Sequence, residues 1–420
     1  MLKRHAAGSD WLESLLEAEL ANASLAPADR ALTQELAFGV LRWQAALDRL
    51  IARKTSGRTQ KNVLRILLRL GLYQLFWLDR IPDHAAVHQT VQLARELGCG
   101  PQAGFVNALL RGCLRERESL EREVEELKAH EPHVGYSHPE WLCRRWAKRW
   151  GSEKLRALLA WNNTPPAVFI RVNTLKTTPD DLARQFEKEG VLFTPRSFDW
   201  IPGDVVFELR SHPPLASLPS FQQGAFYVQD PSTLLAVREL DPHPGERVLD
   251  LCAAPGGKTT FIAQLMGDEG DVVANDPSPQ RRKLMEENCQ RLGVSCVKIS
   301  SSCSTRASAP ADLFDRVLVD APCSNTGVMR RRVDLRYRLQ PEEIDRLTDL
   351  QFELLQQAAE NLRPGGTLVY STCSLEPEEN GDLVEKFLSS QKEFRLATER
   401  QLTPFADGVD GAYVSTLHRR

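Results

Sequence analysis

Apolar residues recur at steps of three and four from residue 10 to about residue 130, the spacing that is typical of amphipathic α-helices. Pro82 and residues 98–101, Gly-Cys-Gly-Pro, interrupt this pattern as turns. The highly charged run at 116–131 predicts a solvated helix that leads into a linker. Residues 1–132 are therefore predicted to form an all-helical domain.

Residues 138–235 change to short apolar runs separated by Pro-rich loops. The run at 168–173 predicts a strand, and further strands are predicted at 205–208 and 225–228. Thr178-Pro179 followed by two aspartates predicts the start of a helix, because acids in a first turn are favoured by the helix dipole. These residues are predicted to form a small α+β module.

Residues 236–420 alternate between strand and helix patterns. Five strands are predicted, at 247–251, 272–276, 296–299, 316–320 and 366–370. Helices lie between such strands in a parallel, doubly wound sheet, so residues 236–420 are predicted to be an α/β domain. In a sheet of this kind ligands bind at the carboxyl ends of the strands.

Composition limits the class of protein. The chain has 420 residues, 42% apolar and 26% charged, with a net charge of −3, which excludes a uniformly cationic nucleic-acid binder but permits a local basic face. The most apolar window, 66–78, contains Arg69 and is too short to span a membrane, and the start of the chain lacks the apolar centre of a secretory signal. Nine cysteines without a C-x-x-C pair favour reduced thiols over disulfides or a metal site, and therefore a cytoplasmic protein.

Two basic segments are candidates for contact with nucleic acid. Eight basic residues against the single acid Asp48 lie between residues 42 and 69, which is the density that RNA contact requires, although a solvated helix face explains it equally well. The second segment follows the fourth predicted strand, where phosphate contact is favoured over a solvated surface. The first set is Arg42, Arg49, Arg53, Lys54, Arg58, Lys61, Arg65 and Arg69, and the second is Arg330, Arg331, Arg332 and Arg336.

A turn of small residues follows the first predicted strand, Asp-Leu-Cys-Ala-Ala-Pro-Gly-Gly-Lys-Thr-Thr at 250–260. The turn lacks G-x-G-x-x-G, and it is not a P-loop because Cys252 stands where the first glycine belongs. Small residues before a helix allow close approach of a ligand, so a nucleoside-type cofactor is predicted here, with a tight turn as the alternative. Asp276 ends the second strand, where it can bind ribose hydroxyls, cap the next helix, or do both.

Two cysteines lie where the fourth and fifth predicted strands end, Cys323 in Asp320-Ala-Pro-Cys-Ser and Cys373 in Ser-Thr-Cys-Ser. A thiolate beside a cofactor of this kind suits methylation of a pyrimidine at C5, because addition to C6 makes C5 nucleophilic. Asp320 near N3 would stabilise the intermediate. An amino-methylating enzyme would instead carry Asp/Asn-Pro-Pro-aromatic at this place. The other six cysteines outside the turn, Cys303 among them, are interpreted as small buried apolar residues.

Three stretches, at 248–258, 320–324 and 372–374, resemble the RNA cytosine-5 methyltransferases of the RsmB/Sun family. Residues 71–75, 81–87 and 105–111 resemble the NusB-like helical domain of the RsmB branch, so the resemblance covers nearly the whole chain. It implies an all-α NusB-like RNA-binding domain at 1–132, a small ferredoxin-like α+β module at 138–235 and an α/β Rossmann-like methyltransferase domain at 236–420.

The resemblance also implies residue roles. Cys373 would be the nucleophile, Cys323 would help release the product, and Asp320 would contact both cofactor and base; the order of the two thiols comes from the family alone. Ser301 stands where the family usually has an acid near the adenine, which puts cofactor affinity in doubt. S-adenosylmethionine would be bound by Asp276, by Ser301 and Asp320, and by the turn residues Cys252, Ala253, Ala254, Pro255, Gly256, Gly257 and Lys258.

The expected substrate is a cytosine in small-subunit (16S) ribosomal RNA, and the expected protein is a cytoplasmic monomer with no membrane partner and no metal. A transfer-RNA or DNA cytosine-5 methyltransferase is the enzymatic alternative; a DNA enzyme would use the thiol of Pro322-Cys323 but would explain neither Cys373 nor the helical domain. The non-enzymatic alternative is a NusB-like RNA-binding or ribosome-assembly factor, which only Ser301 favours.

Overall fold

A computed structural model describes residues 1–8, 10–21, 23–301 and 313–420. It contains two compact units. The helical unit comprises residues 1–164 together with 329–338, and the sheet unit comprises residues 165–328 and 339–420. Cys303, which the sequence analysis considered, lies outside the described residues.

The helical unit confirms the predicted helical pattern. Its core is built from apolar residues at helical spacing, such as Leu47, Leu67, Leu72 and Leu110, all fully buried. The helices are α1 Leu2–His5, α2 Leu12–Ala21, α3 Pro27–Arg42, α4 Gln44–Lys54, α5 Asn62–Trp77, α6 Asp83–Glu96, α7 Ala103–Arg115, α8 Arg117–His130, α9 Pro132–Gly135 and α10 Glu140–Asn162.

The basic stretch between residues 42 and 69 is largely neutralised within the unit. Arg69 is buried and donates to both carboxylate oxygens of Asp48, at 2.7 and 2.6 Å, while Arg42 is buried at 3% exposure. Three further cations pair with acids that lie on or beside α8, in the pairs Arg49–Glu131, Arg53–Glu123 and Lys54–Glu116. The structure therefore favours the alternative of a helix face over an RNA-contacting surface at these five residues.

Burial corrects the expectation of phosphate contact for two of the four arginines of the second basic segment, Arg330 and Arg336, whereas Arg331 is half-buried and Arg332 exposed. Arg336 is 2% exposed and donates to the carbonyl oxygens of Arg42 and Asn162, at 3.0 and 3.1 Å, and to Asn163 Oδ1 at 2.7 Å. Arg330 is also buried, with its guanidinium 4.1 Å from the ring centroid of Trp161. Both side chains thus serve the core of the helical unit, a role that the Arg-Arg-Arg pattern does not indicate.

The sheet unit begins with an α+β module, whose four-stranded antiparallel sheet has the order β2-β3-β1-β4. Residues 138–164, which the sequence analysis placed in this module, instead belong to the helical unit, because they are mostly the helix α10. The helix α11 starts at Pro179, as the sequence predicts, and Thr178 caps it by accepting a hydrogen bond from the Asp181 amide at 3.1 Å. The elements are β1 Val168–Val172, α11 Pro179–Lys188, β2 Leu192–Phe198, β3 Ile201–Ser211, α12 Pro219–Gln222 and β4 Phe226–Val228.

A seven-stranded sheet with the order β10-β11-β9-β8-β5-β6-β7 forms the rest of the unit. The five predicted strands form its parallel part, from β9 to β7. The two C-terminal strands are antiparallel and were not predicted, because β10 exposes most of its residues and gives no clear apolar alternation. The elements are α13 Leu234–Leu240, β5 Arg247–Asp250, α14 Gly257–Leu265, β6 Asp271–Asn275, α15 Pro279–Leu292, β7 Val297–Ser300, β8 Phe314–Asp320, α16 Pro341–Asn361, β9 Leu362–Thr372, α17 Gly381–Ser390, β10 Phe394–Leu402, α18 Pro404–Asp407 and β11 Ala412–Arg419.

Candidate active site

The turn between β5 and α14 brings the backbone close to its neighbours. Gly256 has φ +98°, a left-handed conformation that favours glycine, and a Cβ there would lie 2.9 Å from Met285 Cγ. A Cβ on Gly257 would lie 3.0 Å from the ring of Tyr227. These two positions therefore require the small residues that the sequence places there, and α14 starts at once with its amides directed into the turn.

The other predicted cofactor residues lie around this turn. Ala253 and Ala254 are buried, Cys252 and Lys258 are half-buried, and Pro255 is exposed. Neighbouring strands β6 and β7 run parallel, so Asp276 and Ser301, which follow them, lie at the same edge of the sheet as the turn.

Asp276 is 1% exposed and already has two partners. Its Oδ1 accepts the Ser278 amide at 2.9 Å, and its Oδ2 lies 3.3 Å from Arg281. The N-cap of α15 is Ser278, whose hydroxyl accepts from the Arg281 amide, so the alternative that Asp276 caps this helix is wrong. Ser301 is exposed.

Asp250, the last residue of β5, is fully buried and accepts a hydrogen bond from Thr259 Oγ1 at 2.7 Å. Burial raises the pKa of this carboxyl to about 7, against the opposing effect of the Thr259 hydrogen bond. Its Oδ1 has no hydrogen-bond partner among the described residues. A buried acceptor without a partner at the base of the turn fits a site that takes a polar ligand.

Asp320 lies at the carboxyl end of β8, next to the turn. Its Oδ2 accepts from Lys258 Nζ at 2.6 Å, and its Oδ1 accepts from Ser371 Oγ at 2.9 Å. Burial alone would lower the pKa of Lys258, but the charge and hydrogen bond of Asp320 raise it overall. The pair keeps a cation and a carboxylate fixed at the strand ends.

The two predicted thiols are neighbours, with Cys323 Sγ and Cys373 Sγ 3.2 Å apart. They follow the adjacent parallel strands β8 and β9, although they are 50 residues apart in sequence. The hydrogen bond to Cys373, burial and nearby negative charge raise the pKa of Cys323 well above its ordinary value, so this group is a neutral thiol at neutral pH.

Asn325 connects the two thiols and was not predicted. Its Nδ2 donates to the Cys323 carbonyl oxygen at 2.6 Å, and its Oδ1 accepts from Cys373 Sγ at 3.1 Å. It has φ +58°, a left-handed conformation that asparagine tolerates better than most residues. Its position two residues after the thiol was the available signal, but a lone asparagine in a loop carries little information.

Arg171 is a second unpredicted residue, fully buried on β1 of the small sheet. It donates to the Gly257 carbonyl oxygen at 2.9 Å and to Thr260 Oγ1 at 3.1 Å, both in the first turn of α14. Burial lowers its pKa to about 9. A single Arg in a strand pattern gave no signal, because its two partners in α14 lie more than 80 residues away in sequence.

Within the described ranges, no helix is both long and apolar enough to cross a membrane. In the same part of the chain, no group of three or more His, Cys, Asp or Glu side chains is arranged to hold a metal ion.

Three family models match the chain in consecutive parts. A model described as 16S rRNA methyltransferase RsmB/F matches residues 237–417, the NusB family model matches residues 2–115, and a ferredoxin-like domain of RsmF/B-like methyltransferases matches residues 138–199. The matches follow the order helical, α+β and α/β that the fold shows.

Curated relatives are similar over nearly the full chain. A probable ribosomal RNA small subunit methyltransferase B from Bacillus subtilis is 33% identical, over 97% of this chain and 94% of the relative. Ribosomal RNA small subunit methyltransferase B from Klebsiella pneumoniae subsp. pneumoniae is 36% identical, over 93% and 90%.

Solved structures are similar in fold. The crystal structure of PH0851 has a TM-score of 0.76 and 26% identity, covering 96% of this chain and 92% of that one. A methyltransferase homologue from Pyrococcus horikoshii has a TM-score of 0.60 and 31% identity, covering 67% and 96%.

Proposed function

Since the chain belongs to the RsmB/F family of methyltransferases, we propose that it transfers a methyl group from S-adenosylmethionine to C5 of a cytosine in small-subunit ribosomal RNA. The observation that carries the proposal is the pair of thiols, Cys373 and Cys323, with their sulfur atoms 3.2 Å apart beside the Lys258–Asp320 pair. Methylation at a ring carbon needs a nucleophile, while methylation of an exocyclic amine does not.

The residues of the turn suit S-adenosylmethionine, whose sulfonium would supply the methyl group. Residues 252–258 would hold it along the backbone, where Gly256 and Gly257 leave no room for a side chain. Asp276 would accept from the ribose hydroxyls, and Ser301 would offer a neutral hydrogen bond near the adenine. The unpartnered Oδ1 of Asp250 supports a polar ligand at the base of the turn.

Cys373 would form a bond from its sulfur to C6 of the cytosine, which moves an electron pair to C5 and makes that carbon the nucleophile for the methyl group. Asp320, oriented by Lys258 and Ser371, would accept a hydrogen bond from the exocyclic amine beside N3, and the Lys258 ammonium next to it would offset the negative charge that addition creates. Transfer of the C5 proton to a solvent water then lets the C–H electron pair reform the C5–C6 double bond while the C6–S bond breaks, which restores the aromatic ring and releases Cys373 as a thiolate.

Cys323 would act in this last step. Because its raised pKa keeps it protonated, its S–H can donate to the sulfur of Cys373 as negative charge develops there. This role agrees with product release, the function that the family resemblance implies for the residue.

A covalent-trap assay tests the proposal. The wild type, Cys323→Ala and Cys373→Ala are incubated with S-adenosylmethionine and small-subunit ribosomal RNA, and denaturant-resistant protein–RNA complexes are measured. We expect adduct to accumulate with Cys323→Ala and none to form with Cys373→Ala, and Cys296→Ala serves as the matched control because this half-buried thiol lies outside the site.

The reverse pattern would make Cys323 the nucleophile. If no variant forms an adduct and the wild type transfers no methyl group, the chain is a binding factor instead, and a calorimetric titration with S-adenosylmethionine then shows whether the cofactor turn still binds. Methyl transfer to transfer RNA but not to ribosomal RNA would change the proposed substrate and leave the proposed mechanism at C5 unchanged.

A further inference from the structure

Glu379 is fully buried in a short turn, Pro377–Glu379, between β9 and α17. The surrounding sequence, Glu-Pro-Glu-Glu-Asn at 376–380, is typical of a solvated loop, and nothing in it singles out this acid. Among the described residues, no Lys, Arg or His forms an ion pair with Glu379. A buried carboxylate is costly unless hydrogen bonds compensate for the lost water, so its partners explain why it is there.

The partners are the residues that directly follow the two thiols. On the first loop, Ser324 donates its amide N–H to Glu379 Oε1 at 2.8 Å and its hydroxyl to Oε2. On the second loop, the hydroxyl of Ser374 donates to the same Oε2. Gln351 of α16 adds a hydrogen bond from Nε2 to Oε1 at 3.0 Å. One carboxylate therefore links the loop of Cys323 to the loop of Cys373.

We propose that Glu379 is a positioning residue, which holds the two thiol-bearing loops at their working separation. The reach of a glutamate is needed, because its two oxygens accept from both loops and from α16 at once. The consequence for catalysis rests on the proposed function, whereas the effect on the distance between the sulfur atoms does not.

The charge of Glu379 acts in the same direction. After the hydrogen bond to Cys373, burial and the charge of Cys373, it is a further cause of the raised pKa of Cys323. Glu379 thereby helps to keep Cys323 protonated, which the proposed role of that thiol in product release requires.

Oxidative cross-linking measures the separation without RNA or cofactor. Diamide takes two hydrogen atoms from two thiols, so that one S–S bond forms and diamide is reduced to its hydrazine. We expect the wild type to form the Cys323–Cys373 disulfide readily. We expect Glu379→Gln, which keeps the length, to form it about tenfold more slowly, and Glu379→Asp, which cannot reach both loops, about 100-fold more slowly.

Asp382→Asn is the matched control, because this acid lies in the first turn of α17 and is exposed. Urea unfolding of each variant separates positioning from a loss of fold, and Glu379→Gln decides the question if the shorter Asp variant does not fold. Disulfide rates equal to the wild-type rate in a folded Glu379→Gln and in Glu379→Asp would overturn the proposal.

Methyl-transfer kinetics then test the consequence. We expect kcat to fall in the order wild type, Glu379→Gln, Glu379→Asp, with KM for RNA unchanged, because binding does not depend on the thiols. In a Cys373→Ala background, Glu379→Gln should move alkylation of Cys323 to lower pH, since the negative charge that raises the Cys323 pKa is gone.

The two hypotheses fail in different ways. A wild type that transfers no methyl group, together with slower disulfide formation in the variants, removes the proposed function and keeps the positioning role. Wild-type disulfide rates in both variants, together with normal kcat, remove the positioning role and keep the function.

Discussion

Two regions of this protein were predicted from the sequence to be functional. In the structure, one has most of its charged groups paired or buried, and the other brings its predicted site residues together. In the basic stretch between residues 42 and 69 of the helical unit, five of the eight cations are paired or buried, whereas the strand ends of the sheet unit bring Lys258, Asp320, Cys323 and Cys373 together. A high density of one charge does not show where its counter-charges lie, and here most of them lie on and beside α8. A residue at the carboxyl end of a parallel strand, in contrast, is placed by the topology itself.

Asp320→Asn tests the strand-end region most directly. Removing this charge releases Lys258 and leaves the base without its partner, so we expect kcat for methyl transfer to fall about 10²- to 10³-fold. The pKa of Lys258 should fall too, because Asp320 raises it. Steady-state methyl transfer is the measurement, and Asp345→Asn, an exposed acid on α16, is the control. Equal values of kcat in Asp320→Asn and Asp345→Asn would show that Asp320 lies near Lys258 for structural reasons alone and takes no part in the reaction.

Arg336→Met tests whether the second basic segment serves the core or RNA. The substitution leaves the carbonyl oxygens of Arg42 and Asn162 and the side chain of Asn163 without their donor, so we expect the free energy of unfolding to fall by about 3 kcal/mol. Urea unfolding followed by tryptophan fluorescence measures this. Arg332→Met, at an exposed position, should leave the midpoint unchanged. Weaker RNA binding with unchanged stability in Arg336→Met would restore the original expectation.

The pH dependence of the free energy of unfolding tests the burial of Asp250 at the base of the cofactor turn. The pKa of Asp250 is raised to about 7 from an ordinary 3.8, so the native state binds a proton that the unfolded state releases. The contribution of Asp250 to the free energy of unfolding is greatest below pH 4. It declines as the pH rises towards 7, by at most about 1.4 kcal/mol per pH unit.

Urea unfolding at pH 5 and pH 8 measures this effect. Asp250→Asn should lose the decline. Asp268→Asn should retain it, because hydrogen bonds that outweigh burial lower the pKa of Asp268, so this carboxyl is not a source of the decline. The same decline in wild type and Asp250→Asn would contradict the assignment.

The smallest effect is expected in the basic stretch. Arg53 pairs with Glu123 and Glu116, so Arg53→Ala should leave the slope of log affinity against log salt concentration for ribosomal RNA unchanged. A residue that contacts phosphate would lower that slope by about 1. Filter binding over a salt series is the measurement, with Lys61→Ala at an exposed position as the companion variant. A lower slope for Arg53→Ala would return this face to the RNA-binding surface.

The sequence by itself determined the order of the three parts, the five parallel strands and the strand-end motifs, because these depend on local periodicity and on turn residues such as Gly256. It missed β10, whose exposed residues lack alternation. It also missed Arg171 and Asn325, whose significance depends on partners distant in the chain or on an unusual backbone conformation.

Only the tertiary structure decided which charges are neutralised and which buried polar groups act together. Arg336 and Glu379 resemble surface residues in sequence, yet both are buried, because hydrogen bonds from segments far apart replace the water they lose. Periodicity is a property of neighbouring residues and can be read along the chain. Pairing of charges and hydrogen-bonding groups is a property of distances in the folded molecule, and folding alone creates those distances.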